Sequence, residues 1–308
     1  MMTETEPETP TKTATPALIP GTVQFDLASR EGGEPHRIYL YTPPGEAPAG
    51  GWPVLYLLDG NAVIATAVEA VRAQAPYTLG TGITFGVIVA IGYPTEEAYD
   101  SLRRSWDLGP PPGQTYPPFF EGGPPVRTGG ADGFLAFIED EVKPEVARRV
   151  PVNARRQAIF GHSFGGLFVL HALFLRPDAF TGWISASPAI WWEGAGIVTR
   201  AQAFVAAGQE GTGPEGTGQG AGRLLLLVGE YEQQLAPFQI GAVDAEKRRA
   251  SFLESRIVDH TREMAERLAP VPGLATTYEF LPGETHMSVL PASINHAVRF
   301  AFGAVHAE

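Results

Sequence analysis

No cysteine occurs among the 308 residues. That absence removes disulfides, zinc ribbons, iron–sulfur ligation and a thiol nucleophile together. Long apolar runs are missing too: no stretch of about 18 consecutive apolar residues occurs, so no transmembrane helix is expected. Basic residues are scarce, 22 Lys and Arg against 34 Asp and Glu, for a net charge of −12. Nucleic-acid binding needs a clustered basic face, and docking on anionic membranes needs the same sign, so neither partner is expected. Residues 1–20 carry Thr, Glu and Pro without the apolar core of a secretory signal. A disordered tail over residues 1–21 and a cytoplasmic location are the resulting expectations. What is present, 44% hydrophobic and 10% aromatic residues, suffices for one large core.

Val23–Leu27 and Arg37–Tyr41 alternate in polarity around Arg30-Glu31-Gly32-Gly33 and read as a hairpin. Val54–Leu58 is a continuous apolar run stopped by Asp59-Gly60-Asn61, as a buried parallel strand would be. From there strands and helices alternate: helix 62–73, strand 85–91, helix 133–148 with Pro144 as a kink, strand 158–160, helix 166–175, strands 182–185 and 224–228, a long helix 252–268, strand 276–281 and helix 292–302. The pattern predicts an α/β fold, a mostly parallel central sheet with an antiparallel N-terminal hairpin and helices on both faces. A single domain over residues 22–305 is expected. Two stretches interrupt it. Residues 108–130 are dense in Pro and Gly and contain Tyr116, Phe119 and Phe120, a lid, a binding loop or a plain surface insertion. Residues 208–222 read as a flexible loop.

Gly161-His162-Ser163-Phe164-Gly165 matches G-x-S-x-G, between an apolar strand and an apolar helix. A serine on such a turn lies at a helix N-terminus, where developing negative charge is favoured. Ser163 is therefore the candidate nucleophile. A base and an orienting acid should follow in the order Ser, Asp or Glu, His. His286, in the loop after the last strand, fits the base. His162 flanks the serine and can line the pocket, while His171 and His296 read as structural or solvated. The acid should follow the strand 224–228: Glu232 is preferred to Glu230 because it sits further beyond the strand end, and Asp244 is a distant third. The oxyanion hole needs two backbone N–H groups, assigned to Phe164 and to the Asp59-Gly60-Asn61 loop, with Gly60 allowing close ligand approach. No His and carboxylate spacing suggests a metal site, and no cofactor is expected.

Three blocks, Val54-Leu55-Tyr56-Leu57-Leu58-Asp59-Gly60-Asn61-Ala62, Gly161-His162-Ser163-Phe164-Gly165-Gly166-Leu167-Phe168 and Ser187-Pro188-Ala189-Ile190-Trp191-Trp192, resemble the siderophore trilactone esterases. These are the enterochelin, salmochelin and bacillibactin hydrolases of the α/β-hydrolase fold, and the resemblance runs over residues 22–304. It implies ester hydrolysis of catecholate siderophores, with or without iron, and no cofactor. It also implies catalytic roles for Ser163 and His286, a carboxylate at Glu232, an oxyanion N–H at Asn61, substrate contacts near Trp191, and a substrate-holding arginine at Arg104. The stretch Arg104-Ser105-Trp106-Asp107-Leu108-Gly109-Pro110 departs from the relatives, which carry a Tyr-Thr pair where Leu108-Gly109 stands.

A ferric tris-catecholate is a trianion, so a chain at −12 must reverse the field locally to hold it. Arg103, Arg104 and Arg127, or Lys247-Arg248-Arg249, are the candidates. The expected partner is a small-molecule ester, a ferric siderophore among the options. A general carboxylesterase on acetyl or feruloyl esters, an acyltransferase with the same triad, and a silent binding protein are the alternatives.

Overall fold

The computed structural model describes residues 17–30, 32–210 and 222–304. The tail over 1–16 and the loop over 211–221 thus lie outside the described residues. The elements in chain order are β1 (Thr22–Leu27), β2 (His36–Tyr41), β3 (Trp52–Leu57), α1 (Gly60–Gln74), a single turn α2 (Thr78–Thr81), β4 (Val87–Gly92), α3 (Ser101–Leu108), β5 (Thr115–Tyr116), β6 (Val126–Arg127), α4 (Ala131–Phe137), α5 (Lys143–Arg149), β7 (Val152–His162), α6 (Phe164–Leu175), β8 (Gly182–Ala186), α7 (Trp192–Glu210), β9 (Gly222–Tyr231), α8 (Ala245–Ser255), α9 (Ile257–Leu268), β10 (Leu274–Thr285) and α10 (Val289–Phe302). Eight strands form one sheet in the order β1-β2-β4-β3-β7-β8-β9-β10. The hairpin β1–β2 joins β4 antiparallel, every other pairing in this sheet is parallel, and β5–β6 form a separate antiparallel ribbon.

Alternation along each buried strand splits the core into two layers. Val54 and Tyr56 of β3 join Phe168, Trp183, Phe204 and Leu268 on one face. Leu55 and Leu57 join Val68, Ile294 and Phe302, under α1 and α10, on the other. Apolar runs such as Leu224–Val228 are buried on both sides, which is why they show no polar alternation.

Several boundaries differ from the sequence reading. Residues 19–21 are ordered, because Ile19 packs against the α1–α10 core and the Ile19 and Gly21 carbonyls accept from Thr22 and Thr42. Residues 208–210 close α7, and Gly222 opens β9. The helix expected at 252–268 is two helices broken at Arg256, which sits left-handed at φ 44° and ψ 40° and pairs with Glu263 at 2.7 Å. Pro144 acts one turn upstream of itself. Lacking an N–H and crowding the carbonyl four residues back, it is preceded by a π-helical turn over Ile138–Val142. The helices α3 and α7 were not legible as helices at all.

Candidate active site

The carboxyl ends of β3, β7, β9 and β10 meet at one edge of the sheet and deliver the Asp59-Gly60-Asn61 loop, Ser163, Glu232 and His286 respectively. Ser163 stands between β7 and α6 at φ 58° and ψ −112°, a conformation that costs a non-glycine residue about 1–3 kcal/mol. Two neighbours make that turn possible. A Cβ on Gly161 would lie 2.1 Å from the Gly165 carbonyl oxygen, and one on Gly166 would lie 2.8 Å from that of Ala186. Gly165 itself has ordinary space around it, so the tightness is at 161 and 166. Behind the turn, residues Phe164–Leu173 are buried on every side, which fixes the helix that carries the serine.

His286 Nε2 lies 3.0 Å from Ser163 Oγ, and its Nδ1 lies 2.5 Å from Glu232 Oε2. Glu232 is fully buried. Its other oxygen accepts from the Gly229 N–H at 2.7 Å and from the Ser187 hydroxyl at 2.6 Å. Ser187 is held at φ 46°, with its N–H on the Leu227 carbonyl, so its hydroxyl is fixed where it holds Glu232. Glu230 goes elsewhere, accepting from the Gly283 N–H at the surface, and Asp244 pairs with Arg248. Since His286 has a 34% exposed side chain, the serine–histidine pair opens directly to solvent.

Phe164 is the first residue of α6 and Asn61 the second of α1, where N–H groups lack intrahelical partners. The Asn61 side chain is used structurally: its oxygen accepts from the Tyr93 N–H and its amide donates to the Tyr93 and Thr95 carbonyls. Gly60 faces β4, where a Cβ would lie 2.9 Å from the Ala90 and Ile91 carbonyl carbons, so its identity serves helix–strand packing. Arg104 does not stand free. Its Nε and Nη2 donate to both oxygens of Asp59, at 2.8 and 2.9 Å. Arg103 is likewise engaged by the Glu34 and Pro35 carbonyls, Arg127 lies over the Trp106 ring, Arg248 pairs with Asp244 just before α8, and Arg249 pairs with Glu246 inside it.

Sequence reasoning missed the aromatic wall. Trp192, rather than Trp191, stands edge-on to Phe164 at 4.6 Å and meets Tyr116 at 4.8 Å, with Trp191 packed behind it at 5.5 Å. Tyr116 and Thr128 of the Pro/Gly-rich segment both donate to Glu193 Oε1 at 3.2 Å, which ties the β5–β6 ribbon to the start of α7. Burial, with the Glu193 charge and hydrogen bond behind it, pushes the Tyr116 hydroxyl up to about 12, so it remains a donor. At the ribbon's far end Phe119 and Phe120 are exposed. The sequence named Tyr116 and the Trp191-Trp192 pair separately, and nothing in it announces the left-handed turn at Glu193–Ala195 that aims the wall.

His162 lies face-tilted to His286, with ring centres 4.7 Å apart. Burial drives its imidazole well below the ordinary 6.5, a charge on His286 adds to this, and a bond to the His286 backbone opposes it. His162 therefore stays neutral beside the serine. The unfolded chain takes up this proton below 6.5 and the folded one does not, so the associated stability is present above 6.5 and is lost as pH falls. His162→Gln is expected to flatten the fall in melting temperature between pH 6.5 and about 5, and thermal unfolding across that range checks it. His171 is fully buried and bolts three helices together, with Nε2 2.6 Å from Asp132 and Nδ1 accepting from Arg200 at 2.8 Å. His296 pairs with Glu279 away from the serine.

Among the described residues no three His, Cys, Asp or Glu side chains gather so as to hold a metal ion. No described helix is long and apolar enough to cross a membrane.

A family model described as "Putative esterase" matches residues 29–266. The chain is 36% identical over 303 residues to the ferri-bacillibactin esterase BesA of Bacillus subtilis, covering 98% of this chain and 96% of that protein. It is 35% identical over 291 residues to a siderophore enterobactin esterase of Emericella nidulans, covering 90% and 92%. Among solved structures, the BES protein from Bacillus cereus superposes with a TM-score of 0.79 at 29% identity, covering 94% of this chain and 99% of the other. The siderophore hydrolase EstA from Aspergillus nidulans gives 0.77 at 31%, covering 94% and 98%. The fold, the sheet order and the extent of these matches lead to one conclusion: the chain belongs to the esterase family, on an α/β-hydrolase framework.

Proposed function

We propose that the protein hydrolyses the ester bonds of catecholate siderophore trilactones and their linear fragments through an acyl-serine intermediate. The observation that carries the chemistry is the continuous contact from Ser163 Oγ through His286 to the buried Glu232. In this reading Ser163 attacks the ester carbonyl as His286 Nε2 takes its proton. The Phe164 and Asn61 N–H groups hold the tetrahedral oxyanion. His286 then protonates the leaving alcohol and, in the second half, draws a proton from the water that frees the acid. Glu232 keeps His286 in the tautomer with its proton on Nδ1 and stabilises the imidazolium.

The substrate class is supported by what the relatives are named for and by the shape of the site. An exposed base and a wall of Trp192, Tyr116 and Phe164 suit a bulky ester with flat aromatic arms, against which the rings can stack. Charge points to the milder form of that substrate. With Arg104 paired to Asp59 and Arg103 engaged by the Glu34 and Pro35 carbonyls, neither of these two arginines is left free to attract a trianion. The only partner the reading requires is this small ester, and its setting is the cytoplasm.

The test is side-by-side hydrolysis of an iron-free catecholate trilactone, its ferric complex and p-nitrophenyl acetate, with Ser163→Ala as blank. We expect kcat/KM on the iron-free trilactone to exceed that on the acetate by about 10²-fold or more, the ferric form falling between them. Turnover of the acetate alone would move the substrate to small acyl esters and leave the mechanism in place.

A further inference from the structure

Asp59 occupies the position just before α1, with Gly60 and Asn61 as the first two helical residues. There an aspartate ordinarily turns its carboxylate onto the N–H of the second or third helical residue, here Asn61 or Ala62. Asp59 makes no such bond. Ala62 donates instead to the Asp59 carbonyl at 2.9 Å. Both carboxylate oxygens are drawn the other way by Arg104, whose guanidinium packs by the Tyr99 ring. Burial alone would lower the Arg104 pKa, but the Asp59 charge and hydrogen bonds outweigh it and the net shift is upward. Asp59 is itself left-handed, at φ 54° and ψ 47°, and only 7% exposed. With Asn61 pinned to Tyr93 and Thr95, the loop is fixed from both sides.

We propose that Arg104 is a positioning residue that withdraws the Asp59 carboxylate from the start of α1 and so leaves the Asn61 N–H open to the oxyanion. The inference rests on the serine mechanism above. Without Arg104, the carboxylate is released beside an uncapped helix N-terminus, whose free N–H groups and dipole attract it. It then occupies the oxyanion's place with a fixed negative charge, and the site inhibits itself. Arg104 acts on the enzyme's own loop, and a substrate-clamping arginine would behave differently.

The experiment compares Arg104→Gln with Arg104→Gln/Asp59→Gly on neutral p-nitrophenyl acetate. Glycine accepts the left-handed turn, so the second change removes the carboxylate and keeps the loop. Arg104→Gln is expected to lower kcat by about 10²- to 10³-fold with KM nearly unchanged, the loss typical of one missing oxyanion donor. The double variant is expected to return to within about ten-fold of wild type. The double variant also lacks the buried unpaired carboxylate, so it folds where the single one fails, and its activity then decides by itself. A double variant still down by more than about 10²-fold overturns the proposal. So does an Arg104→Gln enzyme with normal kcat on the acetate and a raised KM on the trilactone. Ser163→Ala, run in parallel, separates this from failure of the mechanism: full activity there would remove the nucleophile itself.

Discussion

Ser163→Ala is expected to lower kcat by about 10⁶-fold, and His286→Ala in the same chain to cost almost nothing more, because residues that act as one unit lose their effect together. The geometry gives the reason. The Ser163 hydroxyl donates toward a single basic nitrogen at 3.0 Å, and once the oxygen is gone that nitrogen has no reacting group within reach. What survives is the proposed pair of oxyanion N–H groups at the starts of α1 and α6, expected still to polarise a bound carbonyl for attack by water. Folding should be nearly untouched, since the hydroxyl makes no capping bond. Steady-state kinetics with melting curves, together with a fluorophosphonate label that marks wild type but not the variant, checks both halves. Labelling that persists in Ser163→Ala would sink the nucleophile assignment.

Glu232→Gln is expected to lower kcat by about 10⁴-fold and to be at least as harmful as Glu232→Ala. Two donors fix the orientation of any amide placed there. The Gly229 N–H and the Ser187 hydroxyl both point at Oε1, at 2.7 and 2.6 Å, and a backbone N–H can only donate. The glutamine oxygen must take that place, which turns its NH₂ toward His286 Nδ1. His286 then carries its proton on Nε2, facing Ser163, and cannot accept another. Alanine leaves space for water and imposes no tautomer. The pair of variants, assayed across the pH range where imidazole titrates, separates a tautomer effect from plain loss of charge. Equal rates for glutamine and glutamate would show that the carboxylate is a structural partner only.

What the sequence made legible is what short-range chemistry dictates. The glycines around Ser163 mark a turn that needs close backbone approach, and two-sided burial leaves runs such as Leu224–Val228 with no polar interruption. The place of His286 after the last strand follows from chain order. The choice of Glu232 over Glu230 rested on distance from the strand end, and the structure brings the preferred one to the histidine. Other features depend on partners far apart in the chain. Arg104 and Asp59 are 45 residues apart, and Arg104 looked like a cation for substrate because nothing local shows the carboxylate it binds. The break at Arg256 is carried by a residue that favours helix, held left-handed with Asp259 and Glu263 as its ion-pair partners, so no glycine or proline announces it. Helix α7 hid behind three left-handed residues, where periodicity has not yet begun.

The position of β10 bears on how long such an enzyme keeps working. It is one of the sheet's two edge strands, hydrogen-bonded to β9 alone among the described strands, and its register slips between Leu281 and Thr285, directly before His286. Edge segments open at lower free energy than the sheet interior. The proposed base is therefore hung from an edge of the sheet, while Ser163 and Glu232 directly follow strands held on both sides. Local opening at that margin is then expected to limit working lifetime before global unfolding does. A ligand spanning the serine and the histidine would act as a splint across that margin.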